Sequence, residues 1–234
     1  MGTHSQTYAL IVPLFSEYTR TLTFETFHQV REGFRNASVA VLGSTQPWYE
    51  AMALTEGARR VVTIQHSAVS YRHPALHAYT HRAFFASKER PETFDVILSI
   101  SSFEHHGLGR YGDPLDPGGD LRSMKEAAQI LLRGGVMIQA VPLAQDAVAW
   151  NAHRVYGRAR LRLLLQGWKM ECSLGLHPEV LDQPLAPATA VANFYSTQAK
   201  RGAGWSWGGR GKRGKASSID MHKMTVGQGS AINL

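Results

Sequence analysis

Only one cysteine, Cys172, occurs in 234 residues. A lone thiol excludes an internal disulfide framework and a cysteine-based zinc centre; its expected place is a small buried or near-surface position. No apolar run approaches the roughly 18 residues of a membrane span. The opening stretch MGTHSQTYALIVPLF has no basic n-region and no small-residue cleavage site, so no secretory signal is read. Gly2 follows Met1, but Gln6 stands where a myristoylation pattern needs Ser or Thr. By default these absences predict a cytoplasmic protein without a membrane partner. Acidic residues are nearly missing after residue 184: Asp220 alone faces Lys200, Arg201, Arg210, Lys212, Arg213, Lys215 and Lys223. That tail therefore carries six of the formal net +7 of the chain. The rest is close to neutral, and an electrostatic case for nucleic acid rests on the tail.

What is present is an ordered alternation. Phe24, Phe27, Val30 and Phe34 share one helical face over residues 21–34. Residues 39–42 form a short apolar strand closed by Gly43, and Pro47 suits the first turn of a helix running to Gly57. Residues 61–64 and 95–100 are further strands. Residues 68–92 show weak periodicity. Residues 121–132 read as a helix stopped by Gly134-Gly135, and residues 136–141 as the fourth strand. Residues 151–166 look helical, with Asn151 as a possible cap, and residues 168–172 read as a strand. Strands separated by helices predict a Rossmann-like α/β fold: a parallel sheet with helices on both faces. Residues 1–20 are an N-terminal extension and 21–184 the α/β domain. Residues 185–234, basic and rich in Gly, Arg and Trp, are expected to be a disordered tail.

In such sheets, ligands bind beyond the carboxyl ends of the strands. Four segments fall there. The turn Gly43, Ser44, Thr45, Gln46, Pro47, Trp48 allows close approach of a ligand, although it has one glycine where the dinucleotide fingerprint has three. Gln65 ends the second strand, where an acid commonly holds ribose hydroxyls. Ser101, Ser102, Glu104, His105 and His106 follow the third strand; a carboxylate or imidazole there suits proton transfer, and equally a braced loop. Arg110, Tyr111, Asp113 and Asp116, with Asn151, His153 and Arg154 after the fourth strand, fit substrate contacts. A metal set drawn from Glu104, His105, Asp113, Asp116 and His153 has no firm ligand spacing, so no metal is assigned.

The blocks GSTQPWYEAMAL, SISSFEHHGLGRYGDPLDPGGD, LLRGGVMIQAVPL and NAHRVYGRARL together resemble the family of domain of unknown function 268, over roughly residues 36–170. Its members are similar to class I S-adenosylmethionine-dependent methyltransferases. The resemblance implies that Gly43 to Trp48 form the methionine-side loop, that Gln65 takes the ribose place, and that Ser101 to Glu104 lie beside the sulfonium and acceptor. Glu104, His105 or His106 would then act in catalysis. The run Leu132-Arg133-Gly134-Gly135 resembles the turn before the fifth strand of many methyltransferases. Two departures are the reduced glycine loop and Gln65 in place of an acid. Beyond Glu171 no final antiparallel hairpin is recognised, so the fold is expected to be incomplete at its C-terminal end. The function expected is methyl transfer from S-adenosylmethionine to a small molecule or glycan. The alternatives are a catalytically inactive ligand- or partner-binding protein of the same fold and an RNA-binding protein acting through its tail.

Overall fold

The computed structural model describes residues 7–10, 31–86, 93–171, 173–174, 176, 178–184 and 193–198. Its centre is five parallel strands in the order β4-β3-β2-β5-β6: Leu76–Thr80, Arg60–Gln65, Ser38–Leu42, Phe94–Ile100 and Leu131–Ala140. The four expected strands are thus adjacent and parallel. Each reads as an unbroken apolar run because helices cover both faces, and Val39, Val41, Val62, Ile97, Leu98 and Ile138 form the middle of the core. Helix α1 (Arg31–Phe34) brings Phe34 into that core; residues 21–30 lie outside the described residues. Helix α2 (Trp48–Thr55) joins β2 to β3, α3 (His81–Ala86) follows β4, and α4 (Gly119–Ile130) joins β5 to β6. Pro47 is the residue before α2 rather than part of its first turn.

Strand β4 lies in the stretch whose periodicity was too weak to read. It is an edge strand of alternating half-buried and exposed residues, with His77 and Tyr79 outward, so only its period of two marks it. Beyond β6 the sheet continues with β1 (Thr7–Leu10), parallel to β6, and β10 (Asn193–Gln198), antiparallel to β6 and to β1. The N-terminal extension and the tail therefore each hold a strand that composition did not predict. Locally NFYSTQ is aromatic and β-branched, which the surrounding Pro/Ala and Gly-rich stretches mask. The rest of the tail, and Cys172, lie outside the described residues.

Three local expectations change. Helix α4 ends at Ile130, not at the glycine pair. Gly134 and Gly135 instead sit in an irregular start of β6: Phe94 pairs with Leu131, yet Val96 pairs with Val136, so Asp95 alone faces the intervening residues. Gly135 has no room for a Cβ, which would lie 2.8 Å from the Asp95 carbonyl oxygen. Second, residues 151–166 are not one helix. They hold the returning arm of a hairpin, β7 (Ala147–Ala149) with β8 (His153–Val155), and then α5 (Arg158–Leu164). Asn151 takes a φ of 53° at the hairpin tip, a left-handed conformation that Asn tolerates. The group that caps α5 is Asp146, whose carboxylate accepts from Gly157, Ala159 and Arg160 N–H at 2.7–3.0 Å. Third, residues 168–171 are not a strand; the short β9 is Ser173–Leu174.

The connection from β5 to α4 is pinned from below. Asp120 is fully buried and accepts from Arg160 Nε (3.0 Å) and Tyr156 OH (3.1 Å), with Arg154 Nε at 3.7 Å. Arg154, also buried, donates to the carbonyls of His106 (2.5 Å) and Asp116 (3.1 Å). Asp120→Ala leaves a buried guanidinium without its counter-charge, and such breaks cost about 3–5 kcal/mol. A loss of unfolding free energy of that size is expected in denaturant titrations; a change under about 1 kcal/mol would remove Asp120 as the anchor.

Candidate functional site

Three strand ends meet at one edge. Gly43 closes β2 with φ 79°. A Cβ there would sit 2.0 Å from Ser102 Oγ, so glycine is required by the neighbouring loop itself. Gly43 and Gln65, from β3, line a pocket with His66, His81, Phe103 and His106, closed below by Ser123, Glu126 and Ala127 of α4. Gln65 is buried. The turn after Gly43 is held by Ser44 Oγ, which lies 2.8 Å from the Gln46 carbonyl and 3.1 Å from Glu50 Oε2.

Glu50 went unrecognised in the sequence. It is fully buried, and its other oxygen accepts from Thr63 Oγ1 at 2.6 Å and Tyr71 OH at 3.3 Å. Burial raises its carboxyl pKa, against the lowering hydrogen bonds from Thr63 and Ser44. Burial and the adjoining Glu50 push the Tyr71 phenol up to about 12. The available signal was an acid set in the apolar helix segment WYEAMAL. Its role is to hold the Gly43–Trp48 turn from beneath.

The pocket wall is unusually rich in imidazole. His66 stacks on His81 with ring centroids 5.7 Å apart and meets His106 edge-on at 5.2 Å. His81 Nε2 pairs with Glu126 Oε2 at 2.9 Å. His106 lies between Ser123 Oγ (2.6 Å) and Ser102 Oγ (3.3 Å). Burial, and then the neighbouring imidazoles, lower the pKa of His66 and bring that of His106 to about 3. Both rings are neutral at physiological pH. Among the described residues, no group of three or more His, Cys, Asp or Glu is arranged to hold a metal ion.

The other side of the same segment carries Glu104 and His105. Ser101 has φ 51°, a rarely populated conformation for a serine, and donates to Glu104 Oε1 at 2.6 Å. Glu104 is 1 % exposed and its second oxygen has no partner among the described residues. It is not part of the pocket wall that Gly43 and Gln65 share. Burial raises its pKa to about 7. His105 Nδ1 lies 2.5 Å from the Ala152 carbonyl oxygen. A carbonyl only accepts, so Nδ1 carries the hydrogen and Nε2 is a free lone pair. That nitrogen lies 3.8 Å from Glu104 Oε1. Burial keeps the His105 pKa low despite the raising contact with Ala152. Tyr111 and His153 stand edge-on to the ring at 5.7 and 6.3 Å. Arg110 crosses to the hairpin tip, donating to the Asn151 carbonyl at 3.1 Å.

The expected substrate residues thus divide. Arg110, Tyr111, Asn151 and His153 surround His105. Arg154, Asp113 and Asp116 are occupied otherwise. Arg154 clamps backbone carbonyls as described above. Asp113 accepts from the Gly107, Gly109 and Tyr111 amides, which together outweigh burial and lower its pKa. Asp116 holds Gly118 N–H and Arg122. The sequence lists these acids beside Glu104 and His105, and nothing in the spacing separates those that fold the loop from those left open. His66, His81, Ser123 and Glu126 were missed; they lie one position past a strand end or one to two turns inside a helix.

Glu104 also sets a pH dependence. Its folded pKa stands above the ordinary carboxyl value of 4.5. The resulting stability is full below about pH 4.5 and is lost as pH rises through about 7, on the order of 3 kcal/mol in all. Glu104→Gln removes this slope. Denaturant titrations should find the variant more stable than the parent at pH 8 and not at pH 4.5; parallel stability profiles would contradict a buried, proton-holding Glu104.

Residues 36–177 match the family model described as "Caenorhabditis protein of unknown function, DUF268". None of the curated proteins matches the sequence. Among solved structures, the chain is similar to the 1,6-didemethyltoxoflavin-N1-methyltransferase of Burkholderia thailandensis, solved with 1,6-didemethyltoxoflavin and S-adenosylhomocysteine. Identity is 14%, coverage 80% of this chain and 95% of that one, and the TM-score 0.48. It is similar also to the ribosomal protein L11 methylase of Lactobacillus delbrueckii subsp. bulgaricus, at 11% identity, 80% and 82% coverage and a TM-score of 0.43.

Proposed function

The chain belongs to the family described as protein of unknown function DUF268, and from that premise we propose that it is an S-adenosylmethionine-dependent methyltransferase acting on a small molecule or glycan. The observation that carries this reading is the two-sided segment Ser101–His106 at the carboxyl ends of the strands. One side closes a pocket with Gly43 and Gln65; the other presents a histidine with a fixed free nitrogen.

The lining residues are of the kinds that contact a nucleoside. Leu42, Ile64, Phe103 and Ala127 give apolar walls, the imidazoles give flat faces, and Gln65 supplies a carboxamide for hydroxyls. The neutral His66 and His106 do not repel a cation. When bound, the sulfonium supplies an electrophilic methyl group. The chain's own part is to orient the acceptor and take its proton. His105 Nε2 is the group for that: its tautomer is fixed by Ala152 and its ring braced by Tyr111 and His153. Glu104, 3.8 Å away, becomes ionised more readily once His105 is protonated, and so stabilises the imidazolium. Arg110, Tyr111, Asn151 and His153 form the acceptor side. No helix of the described residues is long and apolar enough to cross a membrane.

Gln65 favours a second reading, ligand binding without transfer, because a neutral amide holds a hydroxyl less strongly than a carboxylate does. Titration calorimetry with S-adenosylhomocysteine tests the first. Heat of binding is expected from the parent, with Gln65→Glu several-fold tighter, corresponding to about 1 kcal/mol. No heat at millimolar ligand for either protein would overturn the nucleoside-cofactor reading.

A further inference from the structure

We propose that Arg110 and His153 form an anion subsite beside His105, and that the acceptor therefore carries a carboxylate or phosphate next to the atom that is modified. The subsite stands on the loop and the hairpin alone; its assignment to the acceptor rests on the methyltransferase reading above and deepens it.

Two side chains of the loop end on neighbouring carbonyls of the hairpin tip. His105 Nδ1 lies 2.5 Å from the Ala152 carbonyl oxygen, and Arg110 Nη1 donates to that of Asn151 at 3.1 Å. Consecutive Cα atoms are about 3.8 Å apart, so guanidinium and imidazole are held side by side. His153, the next residue of the hairpin, stands edge-on to His105 at 6.3 Å. The Tyr111 ring flanks both groups, 5.7 Å from the His105 ring and 5.9 Å from the Arg110 guanidinium carbon. A guanidinium offers five N–H donors; among the described residues Arg110 uses one in a hydrogen bond. A ligand can reach the rest, since Arg110, Tyr111 and Asn151 are all exposed.

No carboxylate among the described residues pairs with this cation. Asp113 is turned to the Gly107, Gly109 and Tyr111 amides, Asp116 to Arg122, and Asp146 to the start of α5. Glu104, on the other side of His105, is buried. The hairpin from Ala147 to Val155 contains no acid. One exposed guanidinium and two partly exposed imidazoles thus share a corner that holds no free anion, and a planar fork of donors there matches a carboxylate or a phosphate. The charge of Arg110 also reaches both rings. Burial lowers the pKa of His105; His153 and Arg110 lower it further, against Ala152 and Asp113, which raise it. Burial and then Arg110 lower that of His153. An anion on Arg110 cancels its contribution to both. The base at His105 therefore gains strength when an anionic acceptor is seated, and an uncharged acceptor leaves it unchanged.

Nuclear magnetic resonance on the full chain labelled with 15N-histidine tests this without any cofactor. The two rings are assigned by their loss in His105→Gln and His153→Gln. Formate and sulfate are the probes, sulfate standing for a phosphate ester. Each is compared with chloride at equal ionic strength, because salt alone screens Arg110. Either probe should raise both titration midpoints by about half a pH unit, and saturably. A larger effect of formate assigns a carboxylate; a larger effect of sulfate assigns a phosphate. Arg110→Gln should raise both midpoints in chloride and abolish the response. Arg110→Lys should keep the low midpoints and respond more weakly, since it lacks the fork. Chloride acting as strongly as both probes, or Arg110→Gln responding like the parent, overturns the subsite. Calorimetry with S-adenosylhomocysteine keeps the two readings apart. A chain that answers the anions but not this ligand retains the subsite and loses its assignment to a methyl acceptor. A chain that binds this ligand without answering the anions loses the subsite.

Discussion

One buried carboxylate, Asp120, holds the arrangement together. Its oxygens are shared by Arg160, Tyr156 and Arg154, drawn from the β8–α5 region, while Asp120 itself stands in the first turn of α4. An ion pair in the interior is a poor source of net stability, since desolvation offsets much of the attraction. What this one supplies is position. Arg154 spends its remaining donors on the carbonyls of Glu104, His106, Asp116 and Pro117. A stretch with little regular structure is thereby tied at both its ends to one point. Without such a point, the backbone of a long loop would exchange those partners for water.

Burial then sorts the site's titratable groups. Carboxylates that lose water are pushed toward their protonated forms, as at Glu50 and Glu104; imidazoles are pushed toward neutrality, as at His66, His105 and His106. Both shifts lower the charge the interior must carry. The region reads as dense with charge in the sequence; in the fold its charge is confined to aspartates that accept backbone amides or pair with arginines. The exposed remainder, with Arg110, Tyr111 and a Trp150 that is 72 % exposed, is where polarity stays in contact with water.

The sheet was legible because parallel, doubly covered strands declare themselves as β-branched runs, and four of them did so at Val39, Val61, Val96 and Val136. What did not declare itself was the half-covered edge strand β4, and the hairpin hidden in NAHRVYGRARL. There helix-compatible residues yield to the left-handed Asn151 and to Asp146, which caps α5 from outside the segment. The strand ends were legible for the same reason as the strands, so Gly43, Gln65 and Glu104 could be named. Partners across the fold could not: Glu50 with Thr63, His66 with His81, and His105 with Ala152 are tens of residues apart or carry no motif. The acids of the loop were visible but not separable, since an aspartate that accepts three amides and one that faces a ligand look alike in sequence.

The hairpin β7–β8 contributes to His105 through a backbone carbonyl, that of Ala152. A carbonyl is common to every amino acid. The identity of residue 152 is therefore open to drift, while its location is not. Substitution within the hairpin tip leaves the hydrogen-bond acceptor in place; insertion or deletion of a single residue moves it and frees the ring to turn. Lineages sharing this arrangement would be held together by the length of the hairpin more than by its letters, and a comparison scored residue by residue would rank as variable the position that fixes the histidine.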